Sequence, residues 1–183
     1  MIAIANACTV LRVMLAPLFA WSVAGADASG ALALLICLTA VATDFVDGRL
    51  ARASGWASEA RRILDHGADI VFLLPGLAML AHTRRVPLAL PWCAAVAFAL
   101  YTADGWRRGS GREIILVPSR PGAAAGVANY AVALLASGGL WLGGGALATI
   151  AYAAGIAAAA LNLAAALDRI QTLALPRRSA TRI

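Results

Sequence analysis

Five of the nine acidic residues in this 183-residue chain, Asp44, Asp47, Glu59, Asp65 and Asp69, fall within 26 positions. Four of them are spaced as helices space them. Asp44 and Asp47 are three apart and Asp65 and Asp69 four apart, so each pair projects from one helix face. Carboxylates gathered in this way repel one another. Near a membrane each also carries a cost, up to ~3 kcal/mol at the centre on insertion scales and less toward the interface. Such a cluster needs compensation by protons, by arginines or by metal ions. Oxygen donors prefer hard cations, Mg²⁺ above all where phosphate is also bound. The alternative is a solvated loop whose acids pair with Arg49, Arg52, Arg61 and Arg62.

The elements that must position these acids are membrane helices. Hydrophobic residues make up 62% of the chain and charged residues 13%, and the mean hydropathy is +0.81. A soluble domain sits nearer ~45–50% apolar and ~25% charged, so the excess calls for a second apolar solvent, which lipid supplies. Six apolar segments are expected to span, at Ile4 to Ala24, Ala31 to Asp47, Asp65 to Ala81, Val86 to Thr102, Ala123 to Leu142 and Ala146 to Leu167. Most approach the ~20 residues a crossing helix needs, and the third and fourth are short, separated by a tight turn at 82–85. Pro75-Gly76 is expected to kink the third. The predicted fold class is therefore an all-α integral membrane protein of six transmembrane helices, in one domain over residues 1–183. The first segment is expected to stay as a helix and not be cleaved as a signal peptide, because no positive charge precedes it and Arg12 sits in its middle.

Arginine placement gives an orientation. With the N-terminus in the cytoplasm, alternation puts twelve arginines on the inside, in the regions of 49–62, 107–120 and 169–182, and only Arg84 and Arg85 outside. That is the positive-inside bias, so both termini are predicted cytoplasmic. The second segment leaves the membrane where the third enters. Both aspartate pairs thus lie at one depth on the arginine-rich side, able to face each other across a hairpin. A net charge of +6 and pI near 10.2 do not point to nucleic acid, since the arginines flank apolar runs and form no aromatic-interleaved patch. Cys8, Cys37 and Cys93 lack metal-ligand spacing and read as small hydrophobes.

The acidic stretch reads Asp44-x2-Asp47-Gly48-x2-Ala51-Arg52-x8-Arg61-x3-Asp65-x3-Asp69. It resembles the motif of the CDP-alcohol phosphatidyltransferase family, D-x2-D-G-x2-A-R-x8-G-x3-D-x3-D, matching seven of eight defined positions at the same spacing. The first segment is similar to the family's opening, with Asn6, Thr9 and Arg12 as N-x2-T-x2-R ahead of Pro17. The departure is Arg61, which stands where the motif has glycine.

The resemblance implies that Asp44, Asp47, Asp65 and Asp69 bind Mg²⁺ (or Mn²⁺), and that Asp69 also takes the proton of the acceptor hydroxyl. Gly48 and Ala51 would let a nucleotide lie against the helix, and Arg52 would offer donors to phosphate. The implied reaction transfers a phosphatidyl group from CDP-diacylglycerol to an alcohol, such as glycerol-3-phosphate or another polyol phosphate, releasing CMP. The implied setting is a homodimer in the bacterial inner (cytoplasmic) membrane, among membrane lipids, with its site on the cytoplasmic side. In size the chain is similar to phosphatidylglycerophosphate synthases. It lacks the Arg-Glu pair of their fourth helix, since 97–101 is uncharged, and their Gly-Lys-x-Lys-Thr, since the fifth segment opens Gly122-Ala123-Ala124-Ala125-Gly126. Two other readings are a catalytically impaired member, because of Arg61, and a cation- or proton-handling membrane protein.

Overall fold

The computed structural model describes residues 2–24, 29–53, 59–109 and 114–174. The side chains of residues 2–6, 47, 50–53 and 59–61 fall outside the description. The described chain is all helical: α1 (Ile2–Ser22), α2 (Gly30–Ala53), α3 (Glu59–His82), α4 (Ala89–Arg108), α5 (Arg120–Leu142) and α6 (Gly145–Ala174).

The helices run longer than the apolar segments. α2 continues six residues past Asp47, α3 begins six before Asp65, and α6 runs seven past Leu167. Apolar length measures the hydrocarbon a helix crosses, whereas backbone hydrogen bonding continues into the polar flanks. The aspartate pairs therefore sit within helices and not at their ends. α5 starts at Arg120, before the predicted Ala123, because the Ser119 hydroxyl accepts from Gly122 N at 3.2 Å and Pro121 is tolerated in the first turn. α4 starts at Ala89, after the predicted Val86, since Val86 precedes Pro87 and is kept from the helical region. Pro75 lies within an unbroken α3. The tight turn at 83–86 is closed by Arg84 in the left-handed region (φ 58°), with the Arg85 and Val86 amides donating back to Leu80 O.

Among the described residues three helical stretches are long and apolar enough to cross a membrane: Arg62–His82, Arg120–Leu142 and Gly145–Ala174. α1 and α2 carry shorter apolar stretches, Ala7–Ser22 and Gly30–Val46, and α4 ends in Asp104, Arg107 and Arg108. The exterior is apolar. Met14, Trp21, Trp92 and Val127 are 67%, 70%, 74% and 73% exposed, while Arg12, Asp104, Asn129, Asn162 and Arg169 are buried. That inversion suits a chain solvated by lipid.

Packing closes the helices into a ring in the order α1, α2, α5, α6, α4, α3 and back to α1, with α3 and α5 also touching across the middle. Among the described residues α2 and α3, though consecutive, do not pack against each other; α1 lies against both. The α1–α3 approach is close because residue 76 is glycine, where a Cβ would fall 2.1 Å from the Phe19 ring. Phe19, Phe72, Leu77, Leu80 and Leu90 form the centre of the core.

Candidate active site

The wedge of α1 between α2 and α3 decides what the aspartates meet. Asp44 and Asp69 meet across the two helices through one guanidinium. Arg12, on α1 and fully buried, stands between them. Its Nη1 donates to Asp44 Oδ1 of α2 at 2.9 Å and to Asp69 Oδ1 of α3, and its Nη2 lies 3.9 Å from Asp65 Oδ1. One turn earlier on the same face, the Thr9 hydroxyl donates to Asp65 Oδ1 at 3.1 Å. Positions 9 and 12 are three apart, so one side of α1 serves all three carboxylates.

A second donor reaches Asp69 from α5. The Tyr130 hydroxyl donates to Asp69 Oδ1 at 2.8 Å. Its ring is held by a run of aromatic stacks, Phe19 on Phe72 with centroids 5.3 Å apart and Phe72 on Tyr130 at 6.1 Å. Both donors to Asp69 use Oδ1, and among the described residues Oδ2 accepts no hydrogen bond. One oxygen of this carboxylate is thus held in place.

Beside these groups lies a cavity of about 310 Å³ between α3, α4, α5 and α6, reached by Asp44 and Asp69. Its wall is mostly apolar, with Leu73, Ala94, Ala97, Phe98, Ala125 and Val127. Polar groups enter at a few points. Asn129 and Asn162 exchange hydrogen bonds across α5 and α6, at 3.3 and 2.8 Å, which satisfies two buried amides in an apolar setting. His66, exposed, meets the edge of the Tyr101 ring at 5.5 Å.

A separate charged group closes the same end of the bundle. Asp104 Oδ2 accepts from Arg169 Nη1 and Arg108 Nε, both at 2.9 Å. Arg169 also lies over the Tyr101 ring at 4.9 Å and donates to Val117 O at 2.7 Å. Arg62 reaches Leu116 O, and Arg107 reaches Leu173 O. Residue 105 is glycine, where a Cβ would fall 2.6 Å from Leu116, so the chain after α4 folds back and Ile115 N donates to Gly105 O.

Of the residues singled out by the motif, the structure gathers Asp44, Asp65 and Asp69, and Gly48 lies one turn beyond Asp44 on α2. The side chains of Asp47, Ala51, Arg52 and Arg61 lie outside the described residues. Tyr130, the role of Arg12 and the Asp104–Arg169 pair were not foreseen. Arg12 did carry a signal: a guanidinium in the middle of an apolar helix requires a carboxylate partner. Tyr130 carried none, because nothing local says which helix its hydroxyl will meet.

A cardiolipin synthase (CMP-forming) of Streptomyces coelicolor is 32% identical over 100 residues, a stretch covering 52% of this chain and 45% of that relative. The match thus spans less than half the relative's length. No solved structure matches the chain. The profile of the CDP-alcohol phosphatidyltransferase family matches residues 2–167, nearly the whole sequence, and the chain belongs to that family.

Proposed function

We propose that this membrane protein transfers a phosphatidyl group from CDP-diacylglycerol to an alcohol with release of CMP. The observation that carries the reading is the convergence of Asp44, Asp65 and Asp69, from two helices, beside a largely apolar cavity. The acceptor oxygen attacks the phosphatidyl phosphorus, the bond to CMP breaks, and the acceptor's proton passes to Asp69. Among the described residues nothing bonds Oδ2 of Asp69, which supports that role, since a general base needs a lone pair within reach of the hydroxyl. Arg12 and Tyr130 hold the other oxygen and so fix the carboxylate's orientation.

The donor set fits a hard divalent cation in kind. Three carboxylates converge on one cationic group, and hard cations favour such oxygens. Among the described residues no three of these side chains stand close enough to enclose an ion as they are, because a guanidinium lies between them. Asp44, Asp47, Asp65 and Asp69 are the proposed ligands of Mg²⁺ or Mn²⁺. When bound, the ion would supply charge neutralisation at the donor's diphosphate and at departing CMP. Gly48, Ala51 and Arg52 are the proposed nucleotide contacts.

For the acceptor, an amphiphilic alcohol is favoured over a free polyol phosphate. The cavity is walled by Leu73, Ala94, Phe98 and Val127, and the first turns of α5 offer Gly122-Ala123-Ala124-Ala125-Gly126 in place of ammonium groups. The name of the Streptomyces relative, a synthase of the lipid cardiolipin that forms CMP, supports the same choice. Six crossings, cytoplasmic termini, a site facing the cytoplasm across the inner membrane and a homodimer complete the proposal. The arginine distribution supports the orientation.

The test is CMP release by the purified protein in lipid nanodiscs with CDP-diacylglycerol and Mg²⁺. Release is expected with phosphatidylglycerol as acceptor, less with glycerol-3-phosphate, and none after EDTA. Should a broad panel of lipid and polyol acceptors release no CMP, the enzymatic reading fails.

A further inference from the structure

Arg12 stands among the carboxylates that a divalent cation would need. Its Nη1 bonds Asp44 Oδ1 and Asp69 Oδ1 together, from helices that do not otherwise pack against each other. The nitrogen-to-oxygen distance to Asp44 is 2.9 Å, and a cation such as Mg²⁺ binds oxygen at ~2.0–2.1 Å. A cation drawn to the same carboxylates would stand beside the guanidinium, and two positive groups at that range repel. Nor is the guanidinium a surface group that swings into water at no cost: it is fully buried, and its nitrogens lie among carboxylates.

We propose that Arg12 is a displaceable counter-ion: it holds the aspartates together before the cation arrives, and it yields Asp44 and Asp69 to the cation only when a diphosphate offers it a new anionic partner. The inference rests on the divalent cation of the proposed function and adds a coupling that the aspartate motif does not contain. Without a positive group between them, Asp44, Asp65 and Asp69 would repel. With Arg12 in place they are pre-gathered, and an entering cation competes with two charge-assisted hydrogen bonds. A displaced, buried guanidinium then stands beside the cation and needs negative charge. The diphosphate of a CDP-lipid supplies it, being the group that the cation itself attracts. Cation and nucleotide each make room for the other, so their affinities are coupled, and by linkage equally in both directions. Arg12 acts in this way as a positioning residue of the metal-free state and a phosphate partner of the loaded one.

The experiment titrates Mn²⁺ by electron paramagnetic resonance, with and without saturating CDP, against the full-length protein and Arg12→Met. In the wild type, CDP is expected to tighten Mn²⁺ binding by about tenfold or more. In Arg12→Met, Mn²⁺ alone is expected to bind more tightly than in the wild type, and CDP to add little. A merely structural arginine would weaken Mn²⁺ binding on removal, so a weaker Arg12→Met site overturns the proposal. Equal Mn²⁺ affinity with and without CDP in the wild type also overturns it, even if Arg12→Met does not fold. Absence of Mn²⁺ binding in both conditions would instead remove the divalent cation from the proposed function, and this inference with it.

Discussion

Two buried arginines at the same end of the bundle make a controlled comparison. Arg12 faces three carboxylates from two helices, one of them, Asp44, half exposed. Arg169 shares a buried carboxylate, Asp104, with a second arginine, lies 4.0 Å from the partly exposed Asp168, and donates to a backbone carbonyl while its plane covers a tyrosine ring. Residue types and distances are nearly the same. Stoichiometry differs, and it separates the two regions. Around Arg12 the negative charge is in excess and partly open to the outside, a state that attracts a further cation. Around Asp104 two arginines meet two carboxylates, so the charges balance and the donors are used, which makes a clasp for the chain entering α5.

If the comparison is sound, breaking each side should fail differently. Asp69→Asn removes the proton acceptor while keeping the shape, so CMP release should fall by about 10²–10⁴-fold with the thermal unfolding midpoint nearly unchanged. Asp104→Asn should do the reverse. It leaves Arg169 with only the partly exposed Asp168, at a cost below the about 3–5 kcal/mol of a broken buried pair, read from detergent-phase unfolding. CMP release per folded molecule should change little. A variant at Asp104 that kept its stability and lost activity would make the clasp part of the chemistry and erase the contrast. The smallest effect is expected at Tyr130→Phe, which removes one donor from Asp69 and keeps the ring stacked on Phe72. The loss is about 1.5 kcal/mol, roughly tenfold in turnover, checked by the same assay.

The aspartate spacing was legible in the sequence because helical periodicity is a local property: residues three and four apart share a face whatever the helix packs on. The existence of six helices was legible for the same reason, from apolar length alone. What stands between the aspartates was not. That Arg12 fills the gap depends on α1 lying between α2 and α3, and ring order is a property of packing that no single segment encodes. Tyr130 is further from local reach. Its place depends on Gly76 admitting Phe19, on Phe19 stacking against Phe72, and on Phe72 setting the plane of the next ring. Helix ends were misjudged wherever polar residues carry the helix on past its apolar stretch, as at 48–53 and 168–174.

The ring order also sets a timetable for synthesis. Both neighbours of α1, α2 and α3, follow it directly in the chain, so those pairings need no later helix, and α4 can join α3 next. At that stage a nascent chain carries every aspartate of the cluster together with Arg12, yet α2 has an open flank and Asp69 lacks its phenol. Only α5 closes that flank and delivers Tyr130, and only α6 seals the far wall. Until then Arg12 is the partner that keeps the acids from confronting one another in the bilayer. Arg12 thus serves the assembly of the bundle as well, a part separate from anything it does toward a nucleotide.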